Sequence, residues 1–336
     1  MDSLTHIAVG ACMGEGFVGK KVGRKAMLWG ALAQSIPDID FLAALWMDTP
    51  RSLLAHRGFT HSILFGVLIS VFFALLAERW HRQHNISFRK WLYFFTGVVL
   101  VHLLLDAFNN YGVGWFEPFS TYRFSFNAIY VVDPFFSIGP GIACLALLLL
   151  KKLHLRRAFW WKFGLYSCSM YLLYCVYNKM LIDKDIKEIL TRQHIPHEQY
   201  FTTPAPLQTW LWYVVSGDAK GYYVGYRSIF DRKPGMDFHF LPRNEHLLAS
   251  VEDQESLLRL KRFSQGFFTV EDWNDTLVFN DLRFGQVIGW KDPEEKFAFH
   301  FFLNSNTDNR MVVQRGRFAK WDKPVVVRLW ERIKGE

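Results

Sequence analysis

The chain spaces histidine and aspartate in a way that suits shared ligation. His102 and Asp106, in HLLLD, lie one helical turn apart, so on a helix they share a face. Asp2 and His6, in DSLTH, repeat that spacing. Asp38 and Asp40 flank Ile39 in PDID, where Pro37 is expected to break a helix and let both carboxylates project from an extended turn. HRGFTHS supplies His56, Arg57 and His61. The interval between its histidines does not fit one helical face. Gly58 and the candidate cap Thr60 instead put His56 on a loop and His61 at the start of the next helix. All these donors are nitrogen or oxygen, a set that suits zinc, or manganese or iron, in a catalytic site with open positions.

The elements that carry these residues are apolar. Segments at about 4–18, 26–45, 62–78, 91–108, 135–150 and 160–182 read as mostly helical, several of them shorter than the ~20 residues of a full span. The loops between them alternate in charge. Stretches 19–25, 79–90 and 151–162 hold 13 Lys and Arg, whereas 46–60 and 109–134 hold only Arg51, Arg57 and Arg123. The positive-inside rule puts the three basic loops in the cytoplasm. The N-terminus, the two other loops and everything after 182 then face outward.

That topology gathers the polar groups. Asp2, His6, Asp38, Asp40, His56, His61, His102, Asp106 and Asp133 all fall on the outer side. Counted from the nearest charge of a basic loop, His6, Asp38 and His102 lie 12 to 14 residues away, and His61 and Asp133 lie 18 away. At ~1.5 Å per residue these are similar depths, within or at the outer edge of a ~30 Å hydrocarbon core. Each group has a plainer reading alone. A His–Asp pair can satisfy itself, Pro-Asp often just ends a helix, and Arg57 or a lone histidine can anchor at headgroups. Together they favour one shared site, because so many unpaired ionisable groups at that depth would cost several kcal/mol. Glu15 sits toward the basic end and reads as structural.

The motifs in this order resemble one family. DSLTH, PDID, HRGFTHS, HLLLDAFNNYG, WFEPFS and VVDPFF, over about residues 1–140, are similar to the YdjM-like inner-membrane proteins, described as LexA-binding, metal-dependent hydrolases. Later stretches such as PAPLQTWLWYVV and NDLRFG resemble a C-terminal extension found in part of that family. The resemblance implies a multi-pass inner-membrane hydrolase with His6, Asp38, Asp40, His56, His61, His102 and Asp106 as ligands or catalytic groups. The ligand mix is also reminiscent of zinc-dependent phospholipase C-type enzymes, a likeness of site chemistry alone.

The expected mechanism uses one to three divalent ions, zinc foremost, held by His6, Asp38, His56, His61, His102 and Asp106. Asp40 or Asp2 acts as base or orients an imidazole. Arg57 pairs with an anionic substrate group, and Asn109, Asn110 and Tyr111 complete the rim. An outer-leaflet site suits a lipid or phosphodiester substrate. Two other classes remain open: a transporter or proton relay, and a scaffold with a structural metal site.

The expected architecture is an α-helical multi-pass membrane bundle of about six apolar helices, followed by a mainly antiparallel β domain outside the membrane. Residues 1–182 form the membrane domain, 183–205 a helical linker and 206–336 the β-rich domain, with one amphipathic helix at 244–263. Strand-like runs include LWYVVS, GYYVGYRSIF, KFAFHFFL, MVVQRG and PVVVRLW. A protein partner would use this domain. The net charge of +8 accompanies no basic stripe, so nucleic acid is not an expected partner. The four cysteines, at 12, 144, 168 and 175, form no CxxC and read as buried structural residues. HIPH (194–197) reads as linker.

Overall fold

The structure is a computed structural model that describes residues 1–273, 276–303 and 320–335. The chain divides into two compact units: 1–45 with 55–176 and 206–208, and 46–54 with 177–205 and 209–336.

The first unit is helical. α1 (Ser3–Gly14) runs into a π-helical stretch, Glu15–Gly19, and a short α2 (Lys20–Val22). Gly23, at φ 72°, turns the chain into α3 (Arg24–Ser35). A 3-10 helix, Pro37–Leu45, follows; the next helix, α4 (Thr49–Ala55), belongs to the second unit except for Ala55. A second 3-10 turn, Phe59–His61, leads into α5 (Ile63–Trp80). α6 (Phe88–Ala107), α7 (Pro134–Leu149) and α8 (Arg157–Arg192) complete the helices, α8 continuing into the second unit.

The expectation of about six spans is corrected. Among the described residues only α5 and α6, with 18 and 20 residues, are long and apolar enough to cross a membrane. At ~1.5 Å per residue they reach roughly 27 and 30 Å, the thickness of the hydrocarbon core. α1 and α3 stop at 12 residues each, ended by the π-helical stretch and by the Pro37 corner. α7 has 16 residues with Pro140 inside. α8 has 36, interrupted by Lys162 and Lys179.

Small residues set the closest helix packing. A Cβ on Gly30 would lie 1.9 Å from the Gly10 carbonyl oxygen, and one on Gly14 would lie 2.0 Å from that of Ala26. Only glycine permits this approach of α1 to α3, in the small-residue pattern of membrane helix pairs. One face of α6 then does two jobs. Its first turns bury Trp91, Phe94, Phe95 and Val98 against Trp29 and Phe73. Its last turns bury His102 and Asp106. At the basic-loop end, Arg157 pairs with the buried Glu15 through bonds of 2.8 and 2.6 Å, and also donates to the carbonyls of Leu147 and Leu150. A charge pair buried at that depth needs such saturation of its donors.

The second unit carries the antiparallel strands. β1 (Gln199–Pro204), β2 (Leu211–Gly217), β3 (Gly221–Ser228) and β4 (His239–Pro242) form one sheet in sequence order. β5 (Phe268–Asp272), β6 (Leu277–Gln286) and β7 (Phe297–Phe302) form another. The expected helix at 244–263 is two pieces, a 3-10 turn Glu245–Ser250 and α9 (Gln254–Phe263), which Asp253 caps. PVVVRLW is no strand. It lies in a helix, Lys323–Lys334, capped by Asp322 with proline in the first turn, and buries Val325, Leu329 and Ile333 on one face. A cap, an N-terminal proline and a four-residue repeat outweigh three β-branched residues in a row. MVVQRG lies outside the described residues.

Candidate metal centre

Four short pieces of chain meet at the end of α6. α6 contributes His102 and Asp106. The 3-10 helix after Pro37 contributes Asp38 and Asp40, which therefore project from a helical turn rather than an extended one. The second 3-10 turn contributes His61 as its last residue. The following helix is capped by Ser62, whose hydroxyl accepts from the Phe65 amide, and not by Thr60. Thr60 instead donates to Asp40 at 3.0 Å. α1 brings in His6.

The nitrogens and oxygens of Asp38, His61, His102 and Asp106 form one tight group, each residue offering an atom within 4.8 Å of the others. His61 Nε2 is 3.1 Å from His102 Nε2, 3.3 Å from Asp106 Oδ2 and 3.5 Å from Asp38 Oδ1. His102 Nε2 is 3.7 Å from Asp106 Oδ2 and 3.8 Å from Asp38 Oδ1. His61, His102 and Asp106 are fully buried, while the Asp38 side chain keeps 14% exposure. Solvent therefore reaches the group from the Asp38 side.

Hydrogen bonding fixes the ring nitrogens. His102 Nδ1 lies 2.6 Å from the Gln34 carbonyl oxygen, which only accepts. His61 Nδ1 lies 3.1 Å from Asp40 Oδ2, which as a carboxylate also only accepts. Both Nδ1 atoms thus carry hydrogen, and in neutral rings both Nε2 atoms present lone pairs to each other at 3.1 Å. Two lone pairs at that distance repel unless a proton on one Nε2 or a metal ion lies between them. Asp38 Oδ2 is also buried without a hydrogen bond among the described residues, an arrangement that costs free energy if left uncompensated, whereas Asp106 Oδ2 has the Arg57 guanidinium 3.2 Å away. An ion with bonds of 2.0–2.1 Å in tetrahedral geometry has ligand–ligand edges of about 3.3 Å. The observed separations bracket that value, so these four groups can hold a metal ion.

The remaining expected residues take other places. His6 lies behind the group: its Nε2 is 3.1 Å from Asp106 Oδ1, and its ring stacks on His102 at 4.0 Å. The Met1 amino group also donates to Asp106. His56 is outside the four, with Nδ1 2.8 Å from Asp40 Oδ1. Asp40 accepts in addition from the Arg57 amide at 2.7 Å. Burial opposes its charge, yet the hydrogen bonds from His56 and His61 hold its carboxyl well below the usual carboxylate range. Asp2 caps α1, accepting from the Thr5 amide at 2.9 Å and the Thr5 hydroxyl at 2.6 Å.

Arg57 is not open to a ligand. Its side chain is 2% exposed, with Nε 3.2 Å from Asp106 Oδ2. Its NH1 donates to Asn109 Oδ1, and its guanidinium lies 4.9 Å from the centre of the Tyr111 ring. At φ 60° its backbone is left-handed. That turn sends the side chain to Asp106 while the amide goes to Asp40, and it costs about 1–3 kcal/mol. Asp133, expected in the same layer, caps α7 and accepts from the Tyr171 hydroxyl at 2.9 Å.

Gln34 escaped the sequence reading. Besides taking the His102 proton on its carbonyl, it brings its amide nitrogen to 3.4 Å from His6 Nδ1. The available signal was an uncharged polar residue in an apolar helix, one turn before the PDID corner.

The model of the YdjM inner membrane protein family matches residues 1–182. The chain is 35% identical over 123 residues to the inner membrane protein YbcI of Escherichia coli K12, covering 36% of this chain and 69% of that one. It is 30% identical over 146 residues to the uncharacterized protein YfhP of Bacillus subtilis 168, covering 41% of this chain and 44% of that one. No solved structure matches. The stretches that carry the site, from His6 to Asp106, all lie within the matched residues, and on that match the chain belongs to the family of YdjM inner membrane proteins.

Proposed function

We propose that the chain is a membrane-bound, metal-dependent hydrolase whose ion is held by Asp38, His61, His102 and Asp106. The observation that carries this reading is the pair of facing Nε2 atoms, 3.1 Å apart, with both opposite ring nitrogens tied to acceptors. A ligand set of two imidazoles and two carboxylates without sulfur suits zinc. A bound ion there supplies Lewis-acid polarisation of the substrate and acidifies water.

The chain's own residues supply the setting. Asp40 and the Gln34 carbonyl fix the rings of His61 and His102, as carboxylates and carbonyls do behind metal-binding histidines. Arg57 balances the charge of Asp106. Asp38 and His56, the more exposed members, mark the side from which substrate enters. Large apolar side chains stand exposed on the same segments, among them Ile39, Phe41 and Phe59. An apolar rim beside polar ligands favours an amphiphilic substrate, so the proposed class is a lipid or phosphodiester-type ester. The distribution of Lys and Arg among the loops supports a site near the outer leaflet and a C-terminal unit on the outer side, where it is available to a protein partner.

Metal analysis of the purified protein tests the reading, followed by hydrolysis of bis(p-nitrophenyl) phosphate and of phospholipid in mixed micelles. Stoichiometric metal and turnover that stops with chelator are expected. Purified protein that takes up no transition metal removes the proposal.

A further inference from the structure

We propose that His56 is the general base of the hydrolysis, an assignment that rests on the reading of the site as a metal-dependent hydrolase. Sequence spacing alone makes His56 a ligand as good as His61. The geometry separates them. His61 is fully buried with Nε2 in the four-ligand group. His56 is one-third exposed, and its ring centre lies 6.2 Å from that of His61.

Asp40 joins the two. Its Oδ1 accepts from His56 Nδ1 at 2.8 Å, and its Oδ2 faces His61 Nδ1 at 3.1 Å. With hydrogen on Nδ1, the neutral His56 ring carries its lone pair on Nε2, which makes no hydrogen bond among the described residues. Tyr111 stands perpendicular to the ring at 5.9 Å and 88° and limits its rotation. Arg123 donates to the His56 carbonyl at 3.0 Å and holds the backbone. A buried carboxylate orienting a solvent-reachable imidazole is the pairing that stabilises an imidazolium once a proton is taken. A packing role does not require it, because a half-exposed ring could satisfy Nδ1 with water and spare the burial of Asp40.

The step balances. As the oxygen of a water bonds to phosphorus, one of its protons passes to His56 Nε2. The P–O ester bond breaks, its electron pair leaves on the alcohol oxygen, and that oxygen takes a proton from solvent. His56 then returns its proton to solvent. The sum is a diester plus water giving a monoester and an alcohol.

The test compares full-length wild type, His56→Ala, His56→Gln and His102→Ala in detergent, using bis(p-nitrophenyl) phosphate as probe. Both His56 variants are expected to keep wild-type metal content while turnover falls by about 10²–10⁴-fold, the usual contribution of a proton-transfer residue. Added imidazole is expected to restore part of the turnover to His56→Ala and none to His102→Ala. Loss of metal from the His56 variants would make His56 a ligand and overturn the assignment. So would metal-replete variants with turnover reduced by less than about tenfold, or imidazole that restores nothing. Wild type that binds metal but cleaves neither probe nor phospholipid takes down the hydrolase reading, and the base with it, a failure distinct from that of the variants.

Discussion

One aspartate governs the site at the scale of single residues. Asp40 serves His61 with one oxygen and His56 with the other, and also accepts from the Arg57 amide and the Thr60 hydroxyl. Asp40→Asn keeps the shape but gives one side of that carboxylate to an N–H₂ donor. Metal affinity is expected to fall about 10–100-fold, as when other residues behind metal ligands are changed; competition with a chromophoric chelator measures it. The histidines and aspartates were legible as a set, because ionisable residues in apolar segments stand out. Their division of labour was not. His56 and His61 differ by which side of Asp40 they occupy, and Arg57 is turned inward by a left-handed backbone that no spacing rule indicates.

Helix ends and contacts decide whether the ligands meet. α1 and α3 touch through Gly10, Gly14, Ala26 and Gly30, and Gln34 follows Gly30 by one turn. Gly30→Val would drive its Cβ into the Gly10 carbonyl. It is expected to lower thermal stability, since overpacking typically costs ~1–3 kcal/mol, and to weaken metal binding through the displaced Gln34 carbonyl. Melting and metal titration of the same variant check both effects. Gly97, whose added Cβ would meet nothing within 4 Å, is the control: Gly97→Ala is expected to leave both unchanged. The small-residue seam was not legible, because the contact joins two helices that sequence treats separately. The strands β2, β3 and β7 were legible in their aromatic and β-branched runs. The helix 323–334 was not, since its cap and proline carry the signal while its valines point the other way.

At the scale of the whole molecule, the basic loops imply an orientation. Cysteine introduced at Ser250, an exposed residue, is expected to react with a membrane-impermeant maleimide on intact cells. Cysteine at Gln83, exposed in the basic loop between α5 and α6, is expected to react only after the membrane is opened. Cys12, Cys168 and Cys175 are buried, and Cys144, half-buried rather than buried as expected, is replaced by alanine in both variants. Labelling of both positions in intact cells, or of neither, refutes the orientation. The number of spans was overcounted because an apolar segment is not necessarily a spanning one: the π-helical stretch Glu15–Gly19 and the Pro37 corner cut the first two segments short, and nothing in their hydropathy announces it.

The four candidate ligands are residues 38, 61, 102 and 106. An ion seated among them would be a clasp closing two stretches of chain, 38 to 61 and 61 to 102, at the end where their carboxylates and imidazoles converge. In the open chain those stretches are free to wander, and their closure entropy is what the clasp would offset. Binding only the folded form adds about 2.7 kcal/mol at a hundredfold excess of metal over its dissociation constant. Chelation is thus expected to lower the melting temperature of the first unit along with turnover, and scanning calorimetry with and without EDTA shows whether it does. The same atoms that would activate water would then decide whether the membrane part of the chain stays shut.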